Sequence, residues 1–263
     1  MKKIMFFDID GTLVVDGTQH IPGSALRALE LAKAAGNLLY ICTGRPACIV
    51  GGELRELGFD GYVMGCGTHI EIAGEDMFYR TVSPETCADI VRLVRECDCS
   101  PMYERRDGVF FDNNTRDLAM VVGIKSGFMV VNGADTDRTT DDPDFGFDKF
   151  VICYDEKSDM EGFRRGIAGK FDYIDRGYGF AEMVPCGFSK GTGIDRVLAR
   201  YGIDKAQAYS LGDSLNDLPM KGHVGTFICM GNGEKLKPHA DFVTDDITAD
   251  GVYNAMERFG FFG

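Results

Sequence analysis

The stretch Lys3-Ile4-Met5-Phe6-Phe7-Asp8-Ile9-Asp10-Gly11-Thr12 sets the reading of the whole chain. Residues 3–7 read as a strand, and the unbroken hydrophobicity from Ile4 to Phe7 marks one buried on both faces, as in a parallel sheet. Two carboxylates follow at once, at the carboxyl end of the strand, where open α/β sheets collect their ligands. In an extended segment alternate side chains share a side, so Asp8 and Asp10 point together with Ile9 opposed, and Gly11 permits a sharp turn. Two like charges about 4 Å apart, at an effective dielectric of about 20, cost on the order of 4 kcal/mol. A divalent cation between them removes that cost.

Outward from this stretch, apolar runs alternate with helical patterns. Residues 22–35 read as an amphipathic helix ended by Gly36, residues 38–42 as a strand, residues 47–57 as a helix closed by Gly58, and residues 62–64 as a third strand. Residues 69–82 suggest a hairpin turning at Gly74. The pattern changes after Ser83. Ser83-Pro84-Glu85-Thr86 starts a helix, residues 109–112, 149–153 and 178–184 read as strands, residues 160–169 as a helix, and the Asp-rich stretch 135–148 as a solvated loop. Parallel-sheet character then resumes, with a helix at 190–201, strands at 208–211, 226–230 and 242–244, and a closing helix at 250–259. The expected fold is α/β: a doubly wound, Rossmann-like parallel-sheet core at residues 1–82 and 187–263, interrupted by an inserted α+β cap at 83–186.

A length of 263 residues is more than one compact core usually needs, in keeping with two units. The formal net charge of -13 repels phosphate backbones at long range and argues against nucleic acid or an anionic membrane as partner. It does not oppose a small anionic ligand, because salt limits distant charges to about 8 Å. The nine cysteines contain no C-x-x-C pair and read as reduced thiols, mostly small buried hydrophobes. No segment reaches membrane-spanning length, and the apolar opening is too short for a signal peptide, so the cytoplasm is the expected location.

Three further segments fall at comparable topological places. Thr43-Gly44-Arg45 follows the second strand and offers a hydroxyl and backbone amides suited to a phosphate oxygen. Gly212-Asp213-Ser214-Leu215-Asn216-Asp217 follows a later strand, so Asp213 can add another oxygen ligand to the same cation, Asn216 can donate to phosphate, and Asp217 can hold a neighbour in place. Lys190 begins a helix, where a cation works against the dipole, so something other than helix stability keeps it there.

D-x-D-G-T, T-G-R, a lysine and G-D-x-x-N-D, in that order, resemble the haloacid dehalogenase (HAD) superfamily, and in particular its Cof-type phosphatases with a type IIB cap. The segment from Glu182 to Gly191 is similar to that subfamily's return from cap to core. The resemblance implies hydrolysis of a small phosphomonoester, such as a sugar phosphate, through an aspartyl-phosphate. It implies Asp8 as nucleophile and Asp10 as general acid and base. Mg2+ would be bound by the Asp8 side chain, the Asp10 backbone carbonyl and Asp213. Thr43, Gly44, Lys190 and Asn216, with Arg45 as a weaker candidate, would hold the phosphoryl group. One departure concerns the end of the third strand, where the subfamily usually has Asn-Gly and this chain has Gly65-Cys66-Gly67.

The cap is the expected seat of specificity, with Tyr103, Arg105, Arg106 and Glu182 as candidates, although surface positions suit each of them better. The partner expected is a small phosphorylated metabolite, with no obligate protein partner. Two alternatives stand beside the phosphatase reading: a hexose-phosphate mutase sharing the first half-reaction, and a regulatory module that binds phosphate without turnover. His20, His69, His223 and His239 show no ligand spacing and read as ordinary surface or loop histidines.

Overall fold

A computed structural model describes residues 2–130 and 132–263. Its chain divides into two compact units, one of Met1–Gly44, Phe59–Met77 and Ser189–Gly263, the other of Arg45–Gly58 and Phe78–Phe188. The second unit thus takes in a stretch, residues 45–58, that the sequence reading assigned to the core.

The elements, in chain order, are β1 (Ile4–Phe7), α1 (Gly23–Ala34), β2 (Leu38–Cys42), α2 (Glu53–Glu56), β3 (Gly61–Met64), β4 (His69–Ile72), β5 (Glu75–Tyr79), α3 (Pro84–Glu96), β6 (Ser100–Arg105), β7 (Gly108–Phe111), α4 (Ala119–Gly123), β8 (Lys149–Cys153), α5 (Met160–Ile167), β9 (Phe171–Gly177), β10 (Phe180–Pro185), α6 (Lys190–Tyr201), β11 (Ala208–Gly212), β12 (Thr226–Cys229), β13 (Phe242–Val243) and α7 (Gly251–Arg258).

An eight-stranded sheet runs in the order β13-β12-β11-β1-β2-β3-β4-β5. From β13 to β3 its pairings are parallel, and β4 returns antiparallel to β3. The order doubles back at β1, which lies between β2 and β11. Such a reversal opens a crevice at the carboxyl ends of the central strands. All four residues of β1 and all five of β2 are buried, as their unbroken hydrophobicity requires. In α1 the buried residues Ala25, Ala28, Leu29 and Ala32 recur at helical spacing, and this helix packs beside α7.

The second unit is built on a five-stranded antiparallel sheet, β7-β6-β8-β10-β9. Alternation along its strands gives it two apolar faces. Tyr103, Phe150, Ile152 and Met183 pack under α3 and α5. Met102, Val109, Phe111 and Val151 pack with Ile49, Val121 and Met129.

Several local expectations are corrected. Residues 47–57 do not form one helix: a 3₁₀ turn at Ala47–Ile49 is separated from the single turn α2 by Gly51 and Gly52, the latter at φ 53°. Tyr178, expected in a strand, sits with Gly179 in a turn where both have positive φ, and the residues before it form the unforeseen strand β9. The strand β6 and the helical stretch from Ala119 to Met129 were also unforeseen. His69 is not a surface residue; it is buried at the start of β4.

Candidate active site

The backbone amide of Asp8 donates to Leu211 O at 3.0 Å, which extends the β1–β11 ladder and places Asp8 beside the residues that follow β11. After Ile9 the chain turns at Gly11, whose φ of 77° favours glycine. A side chain is excluded there for a second reason, because a Cβ would stand 2.5 Å from Asp213 Oδ2. The hydroxyl of Thr12 donates to Asp213 Oδ1 at 3.2 Å. Asn232, which the sequence reading passed over, ties this turn down: its Nδ2 donates to Gly11 O at 2.8 Å and its Oδ1 accepts from Ile247 N at 3.2 Å. Its position after β12, among residues following a strand end, was the available signal.

Lys190 enters from the start of α6. Ser189 and Thr192 form a reciprocal capping box that fixes the first turn of this helix, and Gly202 in the left-handed conformation ends it. The Lys190 ammonium, fully buried, donates to Asp8 Oδ1 at 2.7 Å and to Asp217 Oδ1 at 2.5 Å. The other oxygen of Asp217 accepts from the amides of Asp213 and Ser214, at 3.0 and 3.1 Å. Asp217 is thereby committed to positioning Lys190 and the 213–217 turn. Asn216 is buried in the same turn, and its Oδ1 accepts from the Ser214 hydroxyl.

Oxygens of Asp8, Asp213 and Asp217 all lie within 4.8 Å of one another. Burial and the neighbouring Asp217 push the Asp8 carboxyl up to about 7, against the pull of Lys190. Burial, then Asp8 and Asp217, push Asp213 up to about 8. Burial works against the Lys190 ammonium, but Asp217 and Asp8 outweigh it and hold the group well above its usual range. Three carboxylates against one ammonium leave a surplus of negative charge matched to a hard divalent cation, for which carboxylate oxygens are the usual ligands. Asp8 and Asp213 have the oxygens to hold it, and the Asp10 loop runs between Asp8 and the Gly11 turn.

The ends of β2 and β3 complete the rim. Thr43, buried, donates its amide to Val63 O at 2.8 Å, and its carbonyl accepts from Cys66 N at 3.1 Å. Gly65, Cys66 and Gly67 have φ values of 55°, 55° and 86°, three left-handed residues in succession. A Cβ on Gly67 would lie 2.4 Å from Ser189 O, so this loop packs closely against the turn that carries Lys190. Asparagine tolerates the left-handed region far better than cysteine does, so Cys66 places backbone strain at a buried position.

Arg45 behaves differently from Thr43 and Gly44. It belongs to the second unit, where its guanidinium donates to Ile49 O at 3.2 Å and to Asn132 Oδ1 at 2.9 Å and lies 4.8 Å from the Phe128 ring. These contacts engage it within that unit. The cap candidates are likewise engaged within their own unit. Tyr103 is buried among Phe145, Phe147 and Phe150, Arg105 grips Asp107 and Asp144, and Arg106 lies over Tyr79. Glu182 meets Lys149 at 2.8 Å and Arg176 at 3.2 Å, and Glu104 contacts the same lysine. All nine cysteines are free thiols, and no helix among the described residues is long and apolar enough to cross a membrane.

Comparison with known proteins gives a consistent picture. A family model described as haloacid dehalogenase-like hydrolase matches residues 5–256. YkrA of Bacillus subtilis (strain 168), whose name assigns it provisionally to the phosphatases, is 30% identical over 265 residues, covering 98% of each chain. An HMP-PP phosphatase of Yersinia pseudotuberculosis serotype I (strain IP32953) is 27% identical over 237 residues, 88% of this chain and 85% of that one. The solved structure of BT4131, described as a HAD subclass IIB sugar phosphatase, superposes with a TM-score of 0.83 at 27% identity, over 99% of this chain and all of that one.

Proposed function

This chain belongs to the haloacid dehalogenase-like hydrolases, and we propose that it is a magnesium-dependent phosphatase of a small phosphomonoester, a sugar phosphate or similar metabolite, working through an aspartyl-phosphate on Asp8. The observation that carries this reading is the buried lysine held between Asp8 and Asp217 beside Asp213, at the carboxyl ends of β1 and β11. The sugar phosphatase and HMP-PP phosphatase among its relatives support a small phosphorylated substrate.

In the first step an oxygen of Asp8 attacks phosphorus in line with the leaving oxygen. The phosphorus–alkoxide bond breaks as the bond to Asp8 forms, and Asp10 gives its proton to the departing alkoxide. Water then attacks phosphorus, Asp10 takes its proton, and the bond to Asp8 breaks to release inorganic phosphate and restore the carboxylate. Lys190 favours the ionised form of Asp8 and faces the negative charge of the phosphoryl oxygens, while Asp217 fixes the lysine. The Thr43 hydroxyl, the amide of Gly44 and the side chain of Asn216 are the neutral donors that would orient the phosphoryl group. Mg2+, held by the Asp8 and Asp213 carboxylates and the Asp10 carbonyl, would supply the positive charge that lets phosphate approach a cluster of acids.

Phosphate release from a panel of phosphorylated metabolites tests the proposal. Turnover that requires magnesium and disappears in Asp8→Asn is expected. Hydrolysis that survives in that variant would exclude Asp8 as nucleophile, and transfer of the phosphoryl group between sugar hydroxyls without phosphate release would make the enzyme a mutase.

A further inference from the structure

The β4–β5 hairpin gathers three donor groups that the phosphatase reading does not use. His69 opens β4 and Glu71 follows two residues later, so both side chains leave the same face of the strand. Asp76 comes from β5 across the Ala73-Gly74 turn, whose two residues both have positive φ. Nε2 of His69 donates to Asp76 Oδ1 at 2.6 Å and lies 3.7 Å from Glu71 Oε1. One donor atom from each of the three residues falls within 4.8 Å of the other two. The imidazole is buried, the Glu71 side chain is 15% exposed and the Asp76 side chain 47% exposed, so the cluster has a closed floor and one side open to water.

A single ring N–H makes one good hydrogen bond, and Glu71 stands beyond that range of the same nitrogen. Two carboxylates converging on one imidazole nitrogen suit a shared cation better than a shared proton. Ligands about 2.1 Å from one ion lie about 3.0–3.4 Å apart at octahedral or tetrahedral angles. The Nε2–Oδ1 separation would widen and the Nε2–Oε1 separation would shorten to reach that spacing, each by less than about 1 Å. An imidazole among carboxylates prefers zinc, iron or nickel to magnesium, which favours all-oxygen shells.

We propose that His69, Glu71 and Asp76 form a second metal site, separate from the Asp8–Asp213 cluster, which takes a transition-series dication of the zinc type and clips β4 to β5. Three protein ligands leave further positions of the ion to water on the Asp76 side. The ion would restrain the hairpin whose strained turn includes Ala73 at φ 51°.

The test is a titration of the full, untagged chain with Co2+ in saturating magnesium, followed by visible absorption and by displacement with Zn2+. One equivalent of Co2+ that Zn2+ displaces is expected, retained in Asp8→Asn and lost in both Glu71→Gln and Asp76→Asn. Asp76 is exposed, so its variant is expected to fold, and circular dichroism verifies that it has. Absence of the equivalent from the wild-type protein overturns the proposal. So does its retention in Glu71→Gln and Asp76→Asn, which would place cobalt elsewhere, on the acid cluster or on a thiol such as exposed Cys186.

Discussion

Lys190 and Asp217 meet at 2.5 Å with neither side chain open to solvent, and the same ammonium reaches Asp8 at 2.7 Å. Removing one member of a buried ionic group leaves the rest uncompensated, a loss of about 3–5 kcal/mol in typical cases. Lys190→Met is therefore expected to lower stability by about that amount and to abolish turnover. Urea unfolding measures the first; an unchanged midpoint would show that the contacts of Lys190 add nothing net to stability.

Asp8→Asn should separate chemistry from stability. It removes the proposed nucleophile, so kcat should fall by at least about 10⁴-fold. It also removes one acid from a crowded cluster, so the melting temperature without added metal should hold or rise. A lower melting temperature would mean that the Asp8–Lys190 contact outweighs the repulsion from Asp213 and Asp217.

Gly11→Ala tests the geometry of the turn. The new Cβ needs space now held by Asp213, and φ at that position is 77°. A stability loss of about 1–3 kcal/mol is expected. Magnesium affinity should weaken too, read as a higher magnesium concentration for half-maximal activity. Unaltered magnesium dependence would remove Asp213 from the ion's ligands.

The acid cluster also fixes a pH response. Asp8 and Asp213 are raised to about 7 and about 8, so the folded chain binds protons more tightly at these sites than the unfolded chain, whose carboxyls titrate near about 4. Their contribution to stability is present below the unfolded value and is lost as pH rises through the folded values. Magnesium competes with the same protons. In the presence of EDTA, stability should fall between about pH 4 and pH 8, while the stabilisation produced by magnesium grows over that window. Melting curves across pH, with and without magnesium, measure both trends.

Cys66→Asn should stabilise the protein by about 0.5–1 kcal/mol, since it places a residue that accepts the left-handed conformation at φ 55°. Destabilisation would show that packing of the buried thiol outweighs backbone strain.

Much of the first unit was legible because its signals are local. The apolar run ending in Phe7 and the helical pattern of residues 190–201 each act within a few residues, and β1 and α6 emerge where those signals place them. The proximity of Lys190 to Asp8 was expected only from the joint order of motifs, since no local rule brings residues 8 and 190 together. The second unit was less legible. Its strand β9 mixes charged and apolar residues on an edge, where period-two patterning is weak, and the Tyr178-Gly179 turn resembles strand sequence until its φ values are known. Asn232 escaped notice because its role, holding a carbonyl more than two hundred positions away, leaves no mark in neighbouring residues. His69 was misread for the same reason: its acidic partners follow at intervals of two and seven, a spacing that only a hairpin brings together.

The strand β1 lies between β2 and β11, and its partner on one side begins only at Ala208. During synthesis, Asp8 leaves the ribosome long before the strand beside it, which begins at Ala208. The second unit ends at Phe188 and has all its strands before then. Its own sheet can therefore assemble while β1 still waits for a neighbour, and the acid cluster around Asp8 comes together only after that sheet has all its strands.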